Sequence, residues 1–126
     1  MDLYKLIVVG LGGLVGSVAR YSAIKTIDEK LNSIFPYGTL TVNILGSFIL
    51  GFVYALAVRK MGLTENWRIF IGAGFCGGFT TFSTFAWESV NLFEHKNLGV
   101  LSAYITISLM LGFLAIVLGE WLGRSI

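Results

Sequence analysis

Apolar residues run in four long stretches along the chain, separated by short polar knots. A helix that crosses a bilayer needs roughly 20 mostly apolar residues, and residues of about 4–24, 38–58, 67–93 and 99–122 each meet that need. Lys25, Asp28, Glu29, Lys30, Asn32 and Pro36 separate the first pair. Arg59, Lys60, Gly62, Glu65 and Asn66 separate the second, and Glu94, His95, Lys96 and Asn97 the third. The pattern predicts an all-α integral membrane protein, a single domain over 1–126 with four transmembrane helices. The first apolar run has no small-residue cleavage site with polar sequence behind it, so it is expected to stay as a helix.

The third stretch is irregular. It contains GAGFCGGFTTFSTF at 72–85, where Gly72, Gly74, Gly77 and Gly78 are followed by Thr80 and Thr81. Glycine has poor helix propensity, and threonine hydroxyls compete for backbone bonds. A break in the third helix is expected here. Irregular backbone at membrane depth is tolerated only where it is buried in protein or lines a water-filled path, and unwound carbonyls there can hold a cation. Beyond the break, Phe79, Phe82 and Phe85 recur every three residues on one face, with Ser83 and Thr84 on flanking faces. Two readings stand open: plain packing, or ring edges carrying partial positive charge that meet an anion.

Composition supports the membrane and removes other classes. Hydrophobic residues make up 56% and charged residues 13%, against about a quarter charged in soluble proteins. Mean hydropathy is +0.81, and a soluble domain this apolar would expose patches that drive association. The net charge is +2, with nine Lys and Arg scattered along the chain, so nucleic acid is not an expected partner. A single Cys76 and a single His95 cannot form a Cys/His metal site. No nucleophile has a His or carboxylate at a recognisable spacing, so an enzyme is not expected. The stretch LIVVGLGGLVG approaches a dinucleotide fingerprint, but Val15 stands where its third glycine belongs. Gly12 and Gly16, like Gly119 and Gly123, are four apart and read as close helix-packing devices. With four spans, Lys5, Arg59, Lys60, Arg68 and Arg124 share one side, and Arg20, Lys25, Lys30 and Lys96 lie toward the other. Five against four barely biases insertion.

Polar groups within lipid are costly unless paired or hydrated, so each is a candidate for function. Asn43, one turn after Thr39, is either interhelical glue or a donor site. Arg20 is read as snorkelling to the headgroups. Tyr104 and Ser108 are four apart and share a face with Gly112, although back-bonding to its own helix accounts for Ser108 equally well. Glu88 and Glu120 are the carboxylates within the apolar runs, both toward segment ends. That weakens, without removing, a small proton-coupled multidrug exporter, which needs a carboxylate deep in the membrane. A non-transporting helical assembly subunit is a third reading.

Taken together, GTLTVN at 38–43 and GFCGGFTTFSTF at 74–85, extended by Glu88, resemble the Fluc, or CrcB, family of fluoride channels over the whole chain. The resemblance implies an antiparallel, dual-topology homodimer in a bacterial plasma or inner membrane. It implies a structural sodium ion at the dimer centre, held by backbone carbonyls of Gly77 and Thr80 from each copy. It implies two fluoride pores per dimer: Phe82 and Phe85 present ring edges, Asn43 donates to the ion, Glu88 lies near a pore mouth, and Tyr104 and Ser108 form a hydroxyl track. Ser83 and Thr84 are counted with the pore, and Gly112 stands where the family often carries one more hydroxyl. The implied activity is passive export of fluoride that entered acidic cells as HF.

Overall fold

The computed structural model describes residues 1–59 and 63–126; Lys60 and Gly62 of the middle polar knot lie outside them. The described residues are all helical or connecting, with no strand. Helix α1 is Leu3–Leu31, α2 is Tyr37–Val58, and α5 is Leu98–Ser125. The third apolar stretch divides in two. Its first half, α3, comprises α-helix Glu65–Arg68, π-helix Ile69–Cys76 and α-helix Gly77–Phe79; its second half, α4, is Phe82–Glu94. Among the described residues, four segments are long and apolar enough to cross a membrane: α1, α2, the composite Glu65–Glu94, and α5.

Two boundaries differ from expectation. Helix α1 runs through Lys25, Asp28, Glu29 and Lys30 and stops at Asn32, whose φ of 44° is left-handed. Charged residues break an apolar pattern but not a helix, and asparagine tolerates the conformation that ends one. The break also lies later than the glycine run suggests. Gly72, Gly74, Gly77 and Gly78 remain helical, and the chain becomes extended at Thr80 (φ −91°, ψ 158°) and Thr81 (φ −151°, ψ 114°).

The glycines set how closely the helices approach. Helix α1 packs on α3, and α2 packs on α5. A methyl group at Gly12 would overlap the Phe70 carbonyl oxygen, and one at Gly16 the Phe75 carbonyl oxygen. A four-residue spacing on α1 thus meets a five-residue spacing on α3, and five is the reach of π-helical hydrogen bonds. Gly119 meets the Phe48 carbonyl in the same way, and Gly123 lies against Ala55. Both glycine pairs therefore act as packing devices within the chain.

Little of the apolar surface is covered. The buried hydrophobic residues are Val42, Val53, Ala55, Cys76, Phe79, Leu92, Tyr104 and Ala115. Large side chains such as Leu14, Val18, Trp87, Met110 and Phe113 face outward. That distribution suits a chain surrounded by lipid, for which outward leucine is no penalty.

Candidate functional site

The break is held open by side chains from three elements. Asn43, in the first third of α2, uses both ends of its amide on one residue: Oδ1 accepts the Thr81 N–H at 2.8 Å, and Nδ2 donates to the Thr81 carbonyl at 3.2 Å. The Thr81 hydroxyl caps α4 by accepting the Thr84 N–H at 3.1 Å. Arg20 reaches from α1 and donates through Nε to the Gly78 carbonyl at 2.8 Å. The expected snorkelling of Arg20 is therefore corrected: its guanidinium satisfies a carbonyl at the C-terminal end of α3, where a positive charge also opposes the helix dipole.

These bonds decide which carbonyls lack helical partners. In a continuous α-helix the Thr81 N–H would return to the Gly77 carbonyl, and the Thr84 N–H to the Thr80 carbonyl. Asn43 and the Thr81 hydroxyl take those two N–H groups instead. The Cys76 carbonyl, by contrast, accepts both the Thr80 N–H at 3.0 Å and the Thr80 hydroxyl at 2.8 Å. Gly77 and Thr80, with Gly78 and Phe79 between them, are thus the residues whose carbonyls the break deprives of helical donors, and Arg20 takes up the Gly78 carbonyl.

A cavity of about 400 Å³ opens beside the break. Asn43, Gly77, Thr80, Phe82, Phe85 and Ser108 lie on its walls, along with Gly46, Ser47, Tyr54, Cys76, Thr81 and Gly112. Gly46 is present for want of room: a methyl group there would overlap the Thr80 Cγ2. The Ser108 hydroxyl is buried and has no hydrogen-bond partner among the described residues, so it is not back-bonded to its own helix. Ser89 and Ser102, in contrast, return their hydroxyls to carbonyls four residues earlier. Leaving a buried hydroxyl unpaired costs about 1–3 kcal/mol, an arrangement that suits a transient polar visitor.

The three phenylalanines do not share one face, because the break falls between Phe79 and Phe82. Phe79 is buried and stacks on Phe75, with ring centroids 5.2 Å apart. Phe82 is 79% exposed, and Phe85 lies 6.0 Å from it and 5.0 Å from the Tyr104 ring. Tyr104 leads to a second polar group at the edge of the site. Its hydroxyl donates to Glu88 Oε1 at 2.9 Å, and the Thr39 hydroxyl donates to Glu88 Oε2 at 3.0 Å. Tyr104 and Thr39 are fully buried, and neither they nor Glu88 line the cavity itself. Ser83 and Thr84 lie off its walls too: Ser83 Oγ is 3.5 Å from Thr81 Oγ1, and Thr84 contributes its N–H to the helix cap.

Sequence reasoning missed Thr81 and Thr39 as working residues, and missed Ser47 and Tyr54 as wall residues. Asn43, Ser47, Leu50 and Tyr54 recur at steps of three or four, so this stripe was available from spacing alone.

The family described as CrcB-like protein, Camphor Resistance (CrcB), matches residues 7–120. This chain belongs to the CrcB family. Among similar proteins, the Fluoride-specific ion channel FluC of Bacteroides fragilis is 42% identical over 124 residues, covering 96% of this chain and 97% of that protein. The Fluoride-specific ion channel FluC of Acidobacterium capsulatum is 40% identical over 122 residues, covering 97% and 98%. That of Agrobacterium fabrum is 39% identical over 124 residues, covering 98% and 99%. Family membership and the four membrane-crossing segments make this CrcB chain a multi-pass protein of the cell membrane.

Proposed function

We propose that this chain is a fluoride-selective channel through which cytoplasmic fluoride leaves passively. The observation that carries the reading is a cavity whose walls Asn43, Phe82 and Phe85 share with Ser108, a residue whose buried hydroxyl is unpaired among the described residues. A small, strongly hydrated anion gives up its water only where donors replace it. The Ser108 hydroxyl is unengaged, and the Asn43 amide carries two donors of which Thr81 takes one. Ring edges of Phe82 and Phe85 add weak positive charge. Contacts of this kind permit passage because none holds the ion tightly. The names of the relatives agree with this chemistry.

The working unit in this reading is an antiparallel homodimer with two pores. In its support, Phe82 and much of the apolar surface are uncovered in the single chain, and nothing lies within 4 Å of where a Gly77 Cβ would stand. The near balance of cationic residues between the two ends favours neither insertion. A structural sodium ion would be held by the Gly77 and Thr80 carbonyls of both copies. Loss of their helical donors supports this, since carbonyl oxygens suit a hard cation. When bound, sodium would supply fixed positive charge that neutralises carbonyl dipoles and ties the copies together. The proton-coupled exporter is not favoured: Glu88, its best-placed carboxylate, is engaged on both oxygens by Thr39 and Tyr104.

The test is efflux from liposomes read by a fluoride electrode after a potassium ionophore is added, with chloride in parallel. Rapid fluoride release without chloride release is expected, and Phe85→Ile should remove most of it while the dimer persists. Equal release of both anions, or none from folded dimer, defeats the proposal.

A further inference from the structure

We infer that Asn43 and Thr81 are positioning residues for the sodium site: each intercepts a backbone N–H that would otherwise close on a carbonyl offered to the cation. The inference rests on the sodium reading above and assigns to two side chains what the glycine-rich sequence was expected to do by flexibility. The glycines stay helical, so poor propensity does not open the chain. The specific agents are Asn43 Oδ1, which holds the Thr81 N–H at 2.8 Å, and Thr81 Oγ1, which holds the Thr84 N–H at 3.1 Å. The donors they capture belong, by helical counting, to the Gly77 and Thr80 carbonyls.

Three further observations fit this division of labour. Asn43 also donates to the Thr81 carbonyl at 3.2 Å, so one amide clamps residue 81 on both sides and fixes the orientation of the extended link. The Thr80 hydroxyl donates to the Cys76 carbonyl at 2.8 Å, which ties that side chain back to α3. Arg20 occupies the Gly78 carbonyl at 2.8 Å, which keeps one of the two residues between the candidates from competing with them. A carbonyl that already accepts a helical N–H is directed along the helix and has spent much of its acceptor strength. One released from that bond can turn toward an ion. Gly46 makes room for this arrangement, because its lack of a side chain lets Thr80 come against α2, next to the Thr81 that Asn43 holds.

The experiment titrates sodium, against N-methylglucamine at constant ionic strength, into purified dimer and follows the unfolding temperature. Wild type, Thr81→Ser, Thr81→Ala and Asn43→Ala are compared. Serine keeps the capping hydroxyl, so Thr81→Ser should reach half-saturation at the wild-type sodium concentration. Thr81→Ala and Asn43→Ala should each need at least about ten times more sodium, because a backbone N–H now competes for the carbonyl. A role in stability alone would lower the unfolding temperature at every sodium concentration without moving the half-saturation point. If Asn43→Ala does not fold, the Thr81→Ser and Thr81→Ala pair decides. A normal sodium response in Thr81→Ala overturns the inference and leaves the sodium reading standing. No sodium response in the wild type overturns the sodium reading, and the inference with it.

Discussion

Removing the Tyr104 hydroxyl tests the network around Glu88 with little else disturbed. Tyr104 is fully buried, and its ring is held by Phe85 at 5.0 Å and Phe35 at 5.5 Å. Tyr104→Phe keeps both ring contacts and deletes only the donor to Glu88 Oε1. A hydrogen bond to a charged group is worth about 1.5–3 kcal/mol, and an oxygen left buried without a donor adds to the loss. The Thr39 bond to the other oxygen remains, so the carboxylate is half satisfied and about 2 kcal/mol of destabilisation is expected. The same substitution in a Glu88→Met background should cost less than about 0.5 kcal/mol, since its acceptor is gone. That leaves a coupling energy of about 1.5 kcal/mol, within the range for residues of one hydrogen-bonded network. Unfolding by SDS titration in mixed micelles reads all four corners of the cycle, and fluoride efflux of the folded variants is measured alongside. Equal losses in the two backgrounds would refute the reasoning, because the hydroxyl would then act through something other than Glu88.

Helix packing and the cavity each give a further expected outcome. Gly16→Ala drives a methyl group into the Phe75 carbonyl and should cost about 1–3 kcal/mol by overpacking. Gly10→Ala, with nothing within 4 Å, should be neutral or stabilising by up to about 1 kcal/mol through helix propensity. The same SDS titration checks both, and equal effects at the two sites would count against close approach of α1 and α3. Ser108→Ala removes a hydroxyl that has no partner, so the variant should unfold at the same or a higher SDS fraction while its fluoride efflux falls. A clear loss of stability instead would mean that the hydroxyl is satisfied in the membrane.

The four apolar stretches were legible because bilayer thickness imposes a length that few other structures share, and the observed helices cover them, although α1 overruns its stretch by about two turns and the third is interrupted at Thr80 and Thr81. Gly12, Gly16, Gly119 and Gly123 were legible for a similar reason: a spacing of four is a statement about one helix face. The break was legible in kind but not in place. Propensity locates it among the glycines, whereas tertiary bonds from Asn43 and Arg20 locate it at Thr80 and Thr81. The same limit applies to Phe79, whose spacing to Phe82 means nothing once the helix between them ends. Arg20 was misread because its charge near a helix end has a ready explanation in the headgroups. Nothing local in the sequence shows that the Gly78 carbonyl lies within its reach. Thr39 was passed over for lack of a partner in the sequence, since Glu88 lies 49 positions away.

The π-helical turns of Ile69–Cys76 have a consequence in genetic terms. Each such turn holds one residue more than an α-helix would place there. Loss of a single codon within this segment would leave every side chain of α4 and nearly all of α3 intact. Relaxation of the segment toward α-helix would absorb that loss, because the π-helical turns carry the surplus residue, and would leave Thr80, Thr81 and Phe85 facing nearly as before. The same loss in a purely α-helical stretch such as α2 has no surplus to draw on and turns all that follows by about 100° about the axis, the angle each residue takes in a helix of 3.6 residues per turn. The segment therefore tolerates a change in the length of the gene that its α-helical neighbours do not.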